Sequence, residues 1–286
     1  KGRPAVNLVP PCLTPAQESL FLTLGSRALD SRLPDPFLGD TLSDEIVART
    51  GYQLDRFPQL ATAVLDQRSK VFDVAVRTKL MDQMVRDFVH REPRAVVLDL
   101  GAGLDCRCAR VDPPPSVDWY DIDYPEVIDL RRKVLPHLAN AHDVGADLTG
   151  PDWLRDIPGD RPASIIADGL MLFLTQDDLV SILRRLTTHF PSGEVILNAY
   201  TSYAMWTFKR SRAMAPIAGD IASPGLNNPR KLEKLVDGLH LVDEILLTRT
   251  SQLAGLPRGP RWAFRVAARS ALLSRLMTTV VLRYRF

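Results

Sequence analysis

The sequence predicts an α/β fold: a doubly wound, mostly parallel sheet preceded by a helical cap. Three observations carry this. Ala95-Val96-Val97-Leu98-Asp99-Leu100 is a short apolar run, broken only by Asp99, of the kind found in a strand buried on both faces. Gly101-Ala102-Gly103 follows at once, a turn out of the strand where a ligand can approach backbone that no Cβ shields. From residue 95 to residue 200, strand-like and helix-like segments then alternate, as parallel strands joined by crossover helices do.

Taken in order, residues 1 to 13 contain Pro4, Pro10 and Pro11 and read as loose chain. Thr14-Pro15-Ala16-Gln17 is a capping box with proline at the first helical position, opening a helix expected to reach about Arg32. Arg27, late in it, reads as a solvated cation near a helix C-terminus. Ser43 to Thr50 is a short helix stopped by Gly51, and Tyr52 to Phe57 a loop. A long helix follows Pro58, because Leu60, Val64, Val71, Val74, Leu80, Met84, Phe88 and Val89 recur at helical spacing; Pro93 excludes it beyond about Arg91. Arg77 lies mid-helix beside the apolar face, where a cation must snorkel or pair with an anion. An internal salt bridge and a bound ligand both satisfy that condition.

The second strand, Val117 to Asp121, ends in Asp121-Ile122-Asp123, and Pro125 opens a helix to about Leu135. Ala141 to Val144 is a third strand, ending at Gly145-Ala146-Asp147-Leu148; Pro162 to Ala167 is a fourth, ending at Asp168-Gly169. A helix from Gln176 to His189 leads to a fifth strand, Glu194 to Tyr200. Residues 201 to 230 read as irregular and aromatic, with Tyr203, Trp206 and Phe208 among basic residues. Lys231 to Asp237 is a short helix, Leu239 to Thr248 a sixth strand and Thr279 to Arg285 a last β-rich run. No repeat interrupts this order, so one domain is expected over residues 1–286, with a cap over 1–93 and a core over 94–286. Ligands of such sheets bind at the carboxyl ends of the strands, where Gly101, Asp123, Asp147 and Asp168 converge.

A carboxylate about 20 residues past the glycine turn, at the tip of the second strand, suits the two hydroxyls of a ribose. The third glycine of the dinucleotide fingerprint is missing, since positions 104 to 106 are Leu-Asp-Cys, so a pyrophosphate is less expected and an adenosyl cofactor suits the pattern better than NAD. At 45% hydrophobic and 24% charged residues, composition is that of an ordinary soluble globular chain. No apolar run reaches the roughly 18 residues that span a bilayer. Cys12, Cys106 and Cys108 are odd in number and lack framework spacing, which argues for a reducing cytoplasm, and without a nearby histidine Cys106 and Cys108 make a poor metal site. Ser251 to Phe286 holds seven arginines and no acid, with Arg261, Arg265 and Arg269 on one helical stripe; this reads as the solvated face of a packing helix, against nucleic-acid or membrane binding.

Several signatures together resemble the leucine carboxyl methyltransferase superfamily, nearest its tetracenomycin-type polyketide O-methyltransferases. These are Arg77-Thr78-Lys79 with Asp82, VVLDLGAGLDCR around the glycine turn, WYDIDYPEVIDLRRKVLP after it, Gly145-Ala146-Asp147-Leu148, and Asp168-Gly169-Leu170-Met171-Leu172-Phe173. The resemblance runs from about Leu13 to the C-terminus. It implies a class I, Rossmann-like methyltransferase fold with an antiparallel last strand, and S-adenosyl-L-methionine as cofactor. By position, it gives Arg77 the methionine carboxylate, Gly101 and Gly103 the bed under the cofactor, Asp123 the ribose, and Asp147 with Leu148 the adenine. It gives Asp168 the methionine amino group, at a position the family usually fills with Glu. Arg27 is the candidate for a second cation on the methionine carboxylate.

The implied reaction joins a sulfonium methyl to an oxygen anion, so charge is lost in the transition state and a dry, well-aligned pocket is the protein's main task. An ionised carboxylate needs no base, whereas a phenol with a pKa near 10 wants one. Candidates for the acceptor pocket are Met171, Phe173, Tyr200, Tyr203 and Trp206, with His142 the histidine beside the motifs. The reading is a cytoplasmic O-methyltransferase acting on a carboxylate or hydroxyl of a small, polyketide-like or aromatic acceptor, with no nucleic-acid, membrane or metal partner. Its alternatives are a protein C-terminal carboxyl methyltransferase and a non-catalytic, cofactor-binding or RNA-associated module.

Overall fold

The computed structural model describes residues 13–52 and 66–286. Cys12, the N-terminal prolines, Leu60, Val64 and the expected start of the long helix after Pro58 lie outside the described residues. The cap comprises α1 (Pro15–Glu18), α2 (Leu20–Ser31), α3 (Thr41–Thr50) and α4 (Gln67–Arg91). Thr14 and Gln17 form the reciprocal capping box. The single helix expected from there to Arg32 is interrupted at Ser19, whose hydroxyl donates to the Ala16 carbonyl at 2.6 Å and competes with the helical ladder. Asp40 caps α3, accepting from the Ser43 N–H, and Asp66 caps α4, accepting from the Ser69 N–H.

The core runs β1 (Val96–Leu100), α5 (Arg107–Val111), β2 (Asp118–Asp123), α6 (Pro125–Val134), β3 (Ala141–Gly145), β4 (Ala163–Ala167), α7 (Gln176–His189), β5 (Gly193–Ala199), α8 (Ser202–Arg210), β6 (His240–Leu246), α9 (Arg258–Ala267), α10 (Ala271–Met277) and β7 (Val280–Arg285). The seven strands form one sheet in the order β3-β2-β1-β4-β5-β7-β6. β1 to β5 are mutually parallel, and β7 pairs antiparallel with both β5 and β6. From β1 the strand order runs outward in both directions, so a crevice opens at the carboxyl ends of β1 and β4.

All five residues of β1 are buried, and strand alternation sorts them by face. Val96, Leu98 and Leu100 join the layer formed with Ile182, Leu183 and Leu186 of α7. Val97 turns the other way, with Ile166, Ile196 and Val281, onto Val71, Phe72, Val76, Met81, Val85 and Phe88 of α4. A third cluster seats Phe21, Leu24 and Ile46 of the cap on Leu104 and on Val127, Leu130 and Val134 of α6.

Residues 201–230, expected to be irregular, contain α8. Thr201 caps it, accepting from the Ala204 N–H at 3.2 Å, and Met205 and Phe208 form its inner side. The segment expected as a helix over 231–237 is a 3-10 turn spanning Pro229–Lys234. On α9, Ala267 is buried and Phe264 lies against Phe72, whereas Arg265 is exposed and Arg269 lies beyond the helix end.

Because Leu98 is fully buried at the centre of β1, Leu98→Ala should lower the unfolding free energy by about 2–5 kcal/mol. The shift of the urea midpoint measures this.

Candidate active site

The glycine turn is folded back over the tip of β2. The N–H groups of Gly101 and Ala102 both donate to the Ile122 carbonyl, at 2.8 and 3.2 Å. Gly101 and Gly103 have φ of +67 and +51, a region that disfavours any residue with a Cβ. A Cβ on Gly101 would stand 3.2 Å from Leu170, and one on Gly103 would stand 3.3 Å from Leu20 of the cap. The bare backbone is therefore enclosed from two sides.

Asp123 is tied to this turn. One carboxylate oxygen accepts from the Gly103 N–H and the other from the Tyr124 N–H, both at 2.7 Å. Burial pushes its carboxyl above the ordinary range, with these two N–H groups opposing. Each oxygen keeps a lone pair for a further donor. Behind the turn, Arg131 of α6 donates to the carbonyls of Gly103 and Asp105, both at 2.9 Å, and pairs with Asp121. The turn is thus held by an anion in front and a cation behind.

Beneath it lies a buried network of arginines and aspartates. Arg107, fully buried, bonds to Asp99 (2.9 Å), Asp82 (2.7 Å), Asp105 (3.2 Å) and Asp168 (3.1 Å). Arg110 joins Asp82 to Asp40 at 2.8 Å each. Arg27 donates to Ser43 and the Leu104 carbonyl and pairs with Asp105 at 3.3 Å. Arg77 donates through Nε to Asp168 at 2.8 Å and through Nη1 to Asp73 at 3.1 Å and the Tyr200 hydroxyl at 3.0 Å. The second oxygen of Asp168 takes both Arg107 and Thr78.

Of these groups Arg27, Arg77, Asp99, Asp105, Arg107, Asp168 and Tyr200 line a cavity of about 320 Å³. Arg27, Arg77, Gly101, Gly103, Asp123, Asp147, Leu148 and Asp168 all face it, so one crevice brings together every residue given a cofactor role. Arg27 is buried rather than solvated. Asp168 reaches the wall with both oxygens engaged by Arg77, Arg107 and Thr78. Asp147 is exposed and accepts from the Thr149 N–H and hydroxyl through one oxygen.

The acceptor candidates divide. Tyr200 and Phe173 line the cavity, joined by Leu172, Phe208, Met214 and Ile217. Met171 does not, because the 3-10 turn at Leu170–Leu172 sends it into the core while its two neighbours face the cavity. Tyr203 and Trp206 stack on each other on the outer side of α8, 56% and 52% exposed, opposite Met205 and Phe208. His142 sits on edge strand β3 beside Tyr120 and 3.9 Å from Asp118, at the amino end of β2 and away from the crevice. Sequence reasoning missed Asp99, Asp105, Arg107 and Arg131. One signal was present: an aspartate inside a buried apolar strand requires a buried cation.

Burial pushes Asp99 up to about 7, with Arg107 opposing and Asp105 and Asp121 adding to the rise. Burial acts on Asp168 in the same direction, but Arg77 and then Arg107 outweigh it and hold that carboxyl below its ordinary value. A folded pKa raised above the unfolded value of about 3.9 means that folded Asp99 binds the extra proton. Its contribution to stability is full below about pH 4 and declines as pH rises to about 7. Asp99→Asn should flatten this part of the pH–stability profile, measured by urea unfolding at intervals between pH 4.5 and 7.5.

Comparison with known proteins fits this geometry. Residues 21–187 match the leucine carboxyl methyltransferase family profile. The chain is 36% identical over 250 residues to the tetracenomycin polyketide synthesis O-methyltransferase TcmP of Streptomyces glaucescens, covering 87% of this chain and 90% of that protein. It is 32% identical over 247 residues to an S-adenosyl-L-methionine-dependent methyltransferase of Gibberella zeae, covering 79% and 80%. A crystal structure of a Thermobifida fusca protein assigned as a methyltransferase matches over 91% of this chain and 93% of its own, with a TM-score of 0.51 at 18% identity, a likeness of fold alone. With the family profile matching more than half its length, this chain belongs to the leucine carboxyl methyltransferase family.

Proposed function

We propose that the chain is an S-adenosyl-L-methionine-dependent O-methyltransferase acting on a small, apolar, aromatic or polyketide-like acceptor, at a carboxylate or hydroxyl oxygen. The observation that carries this is the division of one cavity into two chemically different halves. Glycine backbone, Asp123 and Asp147, at the ends of β1, β2 and β3, make a polar half; Leu172, Phe173, Phe208 and Met214, packed in one cluster, make an apolar half. TcmP is named for O-methylation in polyketide synthesis, which supports the same acceptor class here.

The wall residues fit the cofactor. Gly101 and Gly103 leave room where a Cβ would intrude, and Asp123, fixed by two backbone N–H groups, keeps a lone pair on each oxygen for a further donor such as a ribose hydroxyl. Arg77 and Arg27 are cations on the wall for a ligand carboxylate. When bound, the cofactor supplies an electrophilic methyl group on a sulfonium. The chain's part is to exclude water and to hold the acceptor oxygen in line with that methyl. Tyr200 is a poor base, since burial raises its pKa and its hydroxyl oxygen accepts from Arg77. No histidine lines the cavity among the described residues, Asp168 is spent on two arginines, and Asp99, though raised by burial, is held by Arg107. Such a wall favours an acceptor that ionises on its own, and so a carboxylate over a phenol.

Calorimetry should show S-adenosylhomocysteine binding and no comparable binding of NAD. Asp123→Ala should weaken S-adenosylhomocysteine at least tenfold, because charge-assisted hydrogen bonds contribute about 1.5–3 kcal/mol each; an unchanged affinity would place the ribose elsewhere.

In turnover against a panel of aromatic acids and phenols, kcat/KM for a carboxylate acceptor should stay flat from about pH 6 to pH 9, where the acid is already ionised. A rate climbing tenfold per pH unit over this range would instead identify a hydroxyl acceptor that ionises without help.

A further inference from the structure

The antiparallel end of the sheet does more than close it. Ala199, the last residue of β5, pairs with Val280, the first of β7. Tyr200 follows Ala199 and Thr279 precedes Val280, so strand pairing sets these two side chains next to each other. Both reach the same pair on α4. Tyr200 accepts from Arg77 Nη1 at 3.0 Å, and Thr279 donates to Asp73 through its hydroxyl at 2.6 Å and its N–H at 3.0 Å. Asp73 in turn accepts from Arg77 Nη1 at 3.1 Å. With Asp168 on Nε, two of the three guanidinium nitrogens are held. Nη2 makes no hydrogen bond among the described residues, and it lies 4.0 Å from where a Cβ on Gly169 would stand, on the cavity wall.

We infer that Asp73, fixed by Thr279, is a positioning residue: it turns the Arg77 fork so that Nη2 alone is presented to a carboxylate bound in the cavity. This rests on the proposed reading, in which Arg77 meets the amino-acid carboxylate of the cofactor. Neither Asp73 nor Thr279 lines the cavity, so both act through Arg77. An i,i+4 Asp–Arg pair on a helix face contributes only about 0.2–0.5 kcal/mol to an isolated helix. That small local term does not account for a carboxylate that also collects two bonds from a strand far along the chain. A planar fork depends on its orientation more than a point charge does, so loosening one nitrogen misaligns the others.

The test compares two ligands that differ in the amino-acid part. S-adenosylhomocysteine carries the carboxylate and methylthioadenosine lacks it. Calorimetric affinities for both are measured with wild type, Arg77→Ala, Asp73→Asn and Thr279→Val, with melting temperatures recorded alongside. Asp73→Asn should weaken S-adenosylhomocysteine about tenfold and methylthioadenosine less than twofold. Thr279→Val should act in the same direction by about threefold, and it carries the test if Asp73→Asn folds poorly. If Arg77→Ala separates the two ligands and neither other variant does, the positioning role is overturned. Equal losses for both ligands in those variants, or tighter binding of S-adenosylhomocysteine by Asp73→Asn, overturn it too. If Arg77→Ala itself fails to separate the ligands, the carboxylate contact falls, and this inference falls with it.

Discussion

A single guanidinium holds the crevice together. Arg107 is fully buried and bonds carboxylates from four places: Asp82 on α4, Asp99 on β1, Asp105 in the loop after the glycine turn, and Asp168 after β4. Burying so many charges is favourable only when every partner is present and well placed, because an unpaired buried charge costs several kcal/mol. The network is therefore cooperative in its geometry. It fixes the end of β1 against the end of β4, the two strands that bound the crevice, and ties both to α4. Through Arg110 and Arg27 it extends to Asp40 and Ser43 of the cap. An apolar core of the same volume would pack as well, but it would not aim hydrogen-bonding edges at fixed directions.

The order of attachment explains how loop backbone becomes a rigid ligand bed. The glycine turn makes few apolar contacts of its own. Asp123 takes an N–H from its front, Arg131 takes carbonyls from its back, and Leu20 of α2 closes over Gly103. Each of these anchors sits on a helix or strand whose position is set by core packing. Precision at the site is inherited from Val97, Phe72 and Ile128, buried residues that do not line the cavity.

Much of this was legible in the sequence, for identifiable reasons. β1 and the glycine turn were readable because burial on both faces and a positive φ each demand particular residue types. The place of Asp123 beside that turn was readable from its spacing. Arg77 presented two possibilities, and the structure realises the internal one through Asp73 and Asp168 while leaving one nitrogen facing the cavity. Local pattern could not reveal the partners of Arg107, since Asp82 and Asp168 are far from it in the chain and meet it only through sheet topology. The same holds for Tyr200 and Thr279, joined by an antiparallel register that no periodicity announces. α8 was missed because Tyr203 and Trp206, large and exposed, hid the alternation of its inner residues Ala204, Met205 and Phe208.

The two halves of the cavity are built from different kinds of interaction. The polar half rests on directional bonds among charged groups that fail if one member moves. The apolar half hangs on the 3-10 turn at Leu170–Leu172 and on α8, through a small cluster of Leu172, Ala204, Met205 and Ile221 with Phe173, Phe208 and Met214 against it. Contacts of that kind are non-directional, and volume-conserving exchanges among them typically cost less than about 1.5 kcal/mol. Tyr200, which packs on Phe208 and bonds Arg77, is where this cluster meets the Arg107 network; Leu172, Phe173 and Met214 make no bond to it. An exchange at Met214 therefore disturbs less than one at Asp99, Asp105 or Arg107, which are bound to one another.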